Sequence, residues 1–211
     1  MKYKGIIFDF DGVITNGIPF HDEAYLKVFK TVELNIPLEL LHTKIGMTPK
    51  EVITGICRDF KLRASTDALT DLHHRILFDL YSKKAKPSPH LKALIVKFSH
   101  MNALIGVASS TSSDILKHIL KKFNVQQYFS AIVGGEEIQK GKPDPEMITR
   151  ALEKLNLEAS DAIAIDDARS GIIAAKSINM YTIAYLHYSK TPIPESDMSV
   201  NDFNKLDVSA L

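Results

Sequence analysis

Gly5-Ile6-Ile7-Phe8-Asp9-Phe10-Asp11-Gly12-Val13 is the stretch on which the fold turns. Gly5–Phe8 is apolar without polar alternation, the pattern of a strand buried on both faces, and it runs straight into two acids and a turn glycine. Runs of the same kind recur at Leu104–Ala108 and at 131–133, 162–165 and 182–184. Between the later runs lie helical stripes. Ser112-Ser113-Asp114 opens one with Ile115, Leu116, Ile119, Leu120 and Phe123; Asp144 opens another with Met147, Ile148, Ala151, Leu152 and Leu155; a third covers 170–177. Short buried strands alternating with helices of ~10 to 15 residues predict βαβ units, hence an α/β fold with a doubly wound parallel sheet and a Rossmann-like core.

The segment 16–86 reads differently. It holds no buried strand but carries helical stripes at Tyr25, Leu26, Val28, Phe29 and Val32, at Val52, Ile53, Ile56 and Phe60, and at Leu69, Leu72, Ile76, Leu77 and Leu80. Pro37, Pro49 and Lys86-Pro87-Ser88-Pro89 punctuate it, because proline stops helices and stiffens connectors. The expected organisation is therefore an α/β core of residues 1–15 and 87–211, with an all-helical domain of residues 16–86 inserted after the first strand. From Thr191 the chain reads as a loop and a short closing element.

The 211 residues include 26 Lys plus Arg and 25 Asp plus Glu, a net charge of +1. No basic surplus exists for a nucleic-acid partner, and 45% apolar with 24% charged residues is ordinary for a soluble globular chain. Cys57 is the only cysteine, so neither an intramolecular disulfide nor a cysteine zinc cluster is available, which suits a reducing compartment. The first apolar run is cut at Asp9, short of the ~7 to 15 residues of a signal peptide, and no run approaches the ~18 of a membrane span. The expectation is a cytoplasmic monomer with no nucleic-acid or membrane partner.

Ligands in a parallel sheet bind beyond the carboxyl ends of the strands, which is where Asp9 and Asp11 fall. An isolated pair of this kind is commonly just a strand ending in solvated acids. Here, however, the run at 162–165 ends in Asp166-Asp167, so two strands deliver acid pairs to one sheet edge. Carboxylates held together raise one another's pKa unless a cation neutralises them, and hard oxygen donors with an incomplete shell suit Mg²⁺. Helix capping accounts for one of Asp166 and Asp167 but not for the coincidence. The strand at Leu104–Ala108 ends in Ser109-Ser110-Thr111-Ser112-Ser113, whose hydroxyls and free N–H groups before a helix form an anion site; capping alone explains Ser112, Ser113 and Asp114. Gly141-Lys142-Pro143-Asp144-Pro145 fixes a lysine in a proline-framed turn, a candidate phosphate clamp. Together these are the parts of phosphoryl transfer: a carboxylate nucleophile, a neighbouring acid, charge neutralisation and an anion site.

With these residues in place, the sequence resembles the haloacid dehalogenase-like superfamily, in the branch with a small helical cap after the first strand. Phe8-Asp9-Phe10-Asp11-Gly12-Val13-Ile14 resembles its first motif, Ser109 its second, Lys142 in Gly-Lys-Pro-Asp-Pro its third, and Asp166-Asp167 followed by Arg169-Ser170-Gly171-Ile172-Ile173-Ala174-Ala175 its fourth. Each motif is short; four in order, spread from Ile6 to about Ala184, make the signal specific. The presence of Asp11 argues against the dehalogenases and phosphonate hydrolases of the superfamily, which lack the second acid. The resemblance implies that Asp9 attacks phosphorus and forms an aspartyl-phosphate, while Asp11 protonates the leaving oxygen and later activates the acceptor. It implies Mg²⁺ held by Asp9, Asp166, Asp167 and the Asp11 backbone carbonyl, and phosphoryl oxygens held by Ser109, the Ser110 N–H and Lys142.

Within the superfamily the sequence is most similar to the β-phosphoglucomutases and related sugar phosphatases. Val13-Ile14-Thr15, His21 ten residues after Asp11, and Gly46-Met47-Thr48 match the mutase pattern, which makes His21, Met47, Thr48 and Lys50 the candidate substrate residues of the cap. Where the mutases carry a cap arginine for a distal phosphate, this chain has Pro49-Lys50. Lys50 and Arg75 are the candidate replacements, but lysine lacks the bidentate grip of arginine. The expected activity is thus hydrolysis of a small phosphorylated metabolite, such as a sugar phosphate. A phosphosugar mutase and a catalytically idle phosphometabolite binder are the alternatives. His73-His74 is not expected to form a metal pair, since neighbours on a helix diverge by about 100°.

Overall fold

A computed structural model describes residues 2–211. Among the described residues six strands, β1 (Gly5–Phe8), β2 (Leu104–Ala108), β3 (Phe129–Val133), β4 (Ala162–Asp166), β5 (Tyr181–Tyr185) and β6 (Met198–Val200), form one sheet in the order β3-β2-β1-β4-β5-β6, every pairing parallel. On β1, Ile6 lies opposite Ile105 and Ile163, and Phe8 opposite Val107 and Ile165. Successive side chains point to opposite faces, and both faces are covered. Ile6, Phe8, Ile163 and Ile165 pack with α5 (Leu91–His100) and α6 (Ser113–Lys122). Ile7, Ala162 and Ala164 pack with α7 (Glu146–Leu155) and α8 (Arg169–Ser177). The sheet presents bulky residues to the first pair of helices and mostly alanines to the second. The strand order runs outward from β1 in both directions, so the crevice of this doubly wound sheet opens at the carboxyl ends of β1 and β4.

Four helices lie between β1 and α5: α1 (Ile18–Lys30), α2 (Leu38–His42), α3 (Pro49–Asp59) and α4 (Thr66–Lys84). They enclose an apolar cluster of their own, with Tyr25, Phe29, Ile53 and Ile56 among its members. The insert is not hung on a free linker. Ala24, Leu77, Leu80 and Tyr81 belong to the main core, packed with Phe10, Val13 and Ile14. The segments leading in and out lie against each other: Ser88 donates its N–H to the Ile14 carbonyl at 2.9 Å, and the Thr15 hydroxyl donates to the Lys86 carbonyl at 2.7 Å. This junction supports the limits of the insert that we propose at residues 16 and 86.

Two elements depart from the sequence expectation. Helix α5, whose stripe is Leu91, Leu94, Ile95 and Phe98, follows a proline-rich segment that reads as a connector. The closing element is a sixth strand, seated because Phe203 just beyond it stacks on Tyr185 at 3.9 Å between ring centroids. The remaining strands match or extend the apolar runs by one or two residues.

Candidate active site

Asp9 follows β1 directly, and its N–H donates to the Ile165 carbonyl at 2.8 Å, which ties it to the end of β4. Asp166 closes β4, and its Oδ1 accepts the Ala168 N–H at 2.9 Å, bracing the turn into α8. Between the two acids stands Lys142, buried, its Nζ 2.5 Å from Asp9 Oδ1 and 2.7 Å from Asp166 Oδ2. Carboxylate oxygens of Asp9, Asp166 and Asp167 all lie within 4.8 Å of one another. Two glycines make room for them. Gly12, at φ +89°, and Gly171 would each drive a Cβ into a carboxylate, of Asp167 and Asp166 respectively.

Burial pushes the Asp9 carboxyl well above the usual range against the pull of Lys142, with the charges of Asp166, Asp167 and Asp11 adding to the rise. Asp167 is pushed up in the same way, by burial and then by Asp166. Lys142 is opposed by burial, but Asp166 and Asp9 outweigh it and hold the amine charged. Three crowded carboxylates with one lysine are an electron-rich, all-oxygen donor set with charge left to neutralise, which fits Mg²⁺.

Asp11 is placed apart from this cluster. One carboxylate oxygen accepts the Tyr81 hydroxyl; the other accepts the Thr111 hydroxyl at 2.7 Å and the Ser109 hydroxyl at 3.4 Å, with His21 Nε2 3.3 Å away. Burial raises this carboxyl, but His21 and the hydrogen bonds of His21, Tyr81 and Thr111 more than offset it, so it sits below the usual range. For metal binding, this leaves the Asp11 backbone carbonyl rather than its carboxylate. His21 also lies 3.0 Å from Thr111 Oγ1; it points into the site, not outward as an ordinary surface residue at a helix start.

Ser109 and Ser110 both border a cavity of about 70 Å³ over Asp9, and His21 and Met47 border it from the insert. Thr48 and Lys50 do not; they border a neighbouring groove. The Thr48 hydroxyl caps α3, accepting the Glu51 N–H while Glu51 accepts the Thr48 N–H. Lys50 is exposed, its Nζ 3.2 Å from Asp67, and Arg75 is exposed and borders neither space. Lys44 also borders the cavity over Asp9; neither it nor Tyr81 is among the residues expected at the site, and Thr111 is expected there only as one hydroxyl of the 109–113 run. Thr111 carries a signal, as a third hydroxyl two residues after Ser109; Tyr81 and Lys44, on a helix and a loop of the insert, carry none.

The fold and this site define the class. The sequence model of the haloacid dehalogenase-like hydrolases matches residues 6–185, and the chain belongs to that family. It is 25% identical over 180 residues to the phosphorylated carbohydrates phosphatase of Thermotoga maritima, covering 85% of this chain and 83% of that protein. It is 28% identical over 187 residues to the beta-phosphoglucomutase of Bacillus subtilis, covering 85% and 82%. Its fold superposes on the crystal structure of a beta-phosphoglucomutase from Clostridium difficile with a TM-score of 0.88 at 22% identity, covering 99% of this chain and 95% of that one.

Proposed function

We propose that this chain is a Mg²⁺-dependent phosphatase of small phosphorylated metabolites, sugar phosphates among them, working through an aspartyl-phosphate on Asp9. The observation that carries the reading is the convergence of Asp9, Asp166 and Asp167 around one buried lysine at the crevice of the sheet. In this reaction an Asp9 oxygen bonds to phosphorus as the ester P–O bond breaks, and Asp11 gives the leaving oxygen its proton. Asp11 then takes a proton from water, whose oxygen displaces Asp9 to release inorganic phosphate and restore the carboxylate. Asp11, held by His21, Tyr81 and Thr111, thus carries the proton that the leaving oxygen gains and that water gives back. Ser109, the Ser110 N–H and Lys142 hold the phosphoryl oxygens. Asp9, Asp166, Asp167 and the Asp11 carbonyl would hold Mg²⁺, which supplies charge neutralisation at the transferring phosphoryl group.

The position of Lys50, spent on Asp67 at the exposed surface, supports water over a sugar phosphate as acceptor. The mutase reading rests on His21, which stands beside Asp11 and matches the mutase pattern. With one cysteine, and no helix among the described residues long and apolar enough to cross a membrane, the setting we propose is the cytoplasm and the working form a monomer. The test is phosphate release from a panel of phosphate esters with Mg²⁺. Glucose 1-phosphate with a bisphosphate primer separates the readings: released phosphate supports hydrolysis, glucose 6-phosphate the mutase.

A further inference from the structure

A hydroxyl just before a helix ordinarily bonds to backbone within its own turn. That of Thr111, one residue before the cap of α6, does not. It reaches 100 residues along the chain to Asp11 Oδ2, at 2.7 Å, and the residue is fully buried. Among the described groups at that oxygen it makes the shortest contact. His21 Nε2 stands at 3.3 Å and the Ser109 hydroxyl at 3.4 Å, both beyond the usual range for such bonds. A hydroxyl has one hydrogen to give. With that hydrogen on Asp11, Thr111 Oγ1 can only accept from His21 Nε2, 3.0 Å away, so His21 carries its hydrogen on Nε2.

The backbone of Thr111 serves the other half of the site. Its N–H donates to Ser109 Oγ at 3.1 Å, which fills an acceptor position of that hydroxyl and leaves its hydrogen for a phosphoryl oxygen. Its carbonyl accepts the Gly135 N–H at 3.2 Å, and Gly135 packs so closely that a Cβ there would lie 2.2 Å from the Ser110 carbonyl oxygen. The turn after β2 is therefore braced by the loop after β3. One residue in that turn holds both the hydroxyl proposed to meet the phosphoryl oxygens and the carboxyl proposed to meet the leaving oxygen.

Resting on the phosphatase reading, we propose that Thr111 is a positioning residue, whose hydroxyl aims the Asp11 carboxyl so that its proton reaches the leaving oxygen as the ester bond breaks. In that step an Asp9 oxygen bonds to phosphorus, the bond from phosphorus to the ester oxygen breaks, and the proton passes from Asp11 to that oxygen. An alkoxide needs the proton in order to depart, whereas a carboxylate such as acetate departs without it. The Thr111 hydroxyl therefore matters for alkyl phosphates and little for acyl phosphates.

The experiment measures kcat/KM of the full chain with Mg²⁺ on ethyl phosphate and acetyl phosphate, which are similar in size and differ in the leaving oxygen. In Thr111→Val, which keeps the shape of the buried side chain, the ratio of ethyl to acetyl phosphate should fall about ten-fold, the effect of one buried hydrogen bond. Thr111→Ser, which keeps the hydroxyl, should recover most of that ratio. Each ratio is taken within one preparation, so a fraction of unfolded variant cancels from it. An unchanged ratio in Thr111→Val is the result of a merely structural role, which lowers both esters alike, and overturns the inference. A serine variant no better than the valine one overturns it too, as does release by the wild type from acetyl phosphate alone. Each of these leaves the phosphatase reading standing; no release from either ester overturns both.

Discussion

Gly141 donates its backbone N–H to the carboxylate of Glu51 at 3.2 Å. The same carboxylate accepts the N–H and the hydroxyl of Thr48, at 2.7 and 2.8 Å. One acid thus joins the start of α3, in the insert, to the turn that carries Lys142, and the Lys142 N–H itself donates to the Gly46 carbonyl at 2.9 Å. The lysine that faces Asp9 and Asp166 is held from the insert as well as from the core. The position of the insert and the position of Lys142 are therefore mechanically linked.

Glu51→Ala removes this link. Turnover should fall about 100-fold, the cost of a small misplacement of a reacting group, in a protein that still folds. Loss of the helix cap costs about 1 kcal/mol, which for a chain of this size lowers the melting temperature by roughly 2–4 °C. Steady-state kinetics and a thermal melt on one preparation check both. A full loss of folding, or unchanged kcat, contradicts the link.

Gly12→Ala places a methyl group where the Asp167 carboxylate lies, at a backbone φ of +89° that side chains rarely adopt. The carboxylate has to move out of the cluster with Asp9 and Asp166. The expected result is a folded protein whose melting temperature no longer rises with added Mg²⁺, because binding to the native state is what stabilises it. A wild-type Mg²⁺ shift in this variant removes Asp167 from the proposed ligand set.

Away from the site, Asp197 accepts the Thr182 N–H and hydroxyl at 2.8 and 2.9 Å and Lys176 Nζ at 2.7 Å, joining β5 to the end of α8. Burial raises its carboxyl, but Lys176 and Thr182 outweigh that and hold it below its ordinary value of 3.8. A carboxyl lowered in the folded state contributes stability above its unfolded pKa and loses it as the pH falls through the folded one. Asp197→Asn should therefore be less stable than wild type at pH 7, by about 1–3 kcal/mol for a charge-assisted network. The difference should shrink as the pH falls below 3.8. Parallel melts of the two proteins from pH 7 to pH 3 measure it; a difference that grows toward low pH reverses the sign.

The parts of this molecule legible in the sequence are those fixed by local pattern. Gly5–Phe8 and the run at 162–165 are short and apolar without alternation, as strands buried on both faces are, and they pair side by side, so the acids that follow them fall at one sheet edge. Lys142 is legible for a similar reason, between a glycine and a proline. What stays hidden depends on contacts far along the chain. Tyr81 is one of two aromatics on α4, with Phe78, and only the packing of that helix into the core, beside Phe10 and Phe20, brings its hydroxyl to Asp11. His73 and His74 are neighbours in sequence with opposite fates, one buried in the groove wall and one at the surface facing Asp114; helical geometry separates them but does not say which goes inward. Thr48 reads as a substrate residue; its part in capping α3 depends on the glutamate three positions on, which completes the reciprocal pair.

In the proposed reaction Asp9 takes the phosphoryl group. Asp9→Asn keeps the size of the side chain beside Lys142 but removes the nucleophilic charge. The decisive measurement is phosphate released from acetyl phosphate and sugar phosphates, with Mg²⁺, by wild type and by this variant after both are shown to be folded by circular dichroism. Steady release by the wild type and none above background by Asp9→Asn is the expected result. Turnover by the variant at the wild-type rate would contradict it.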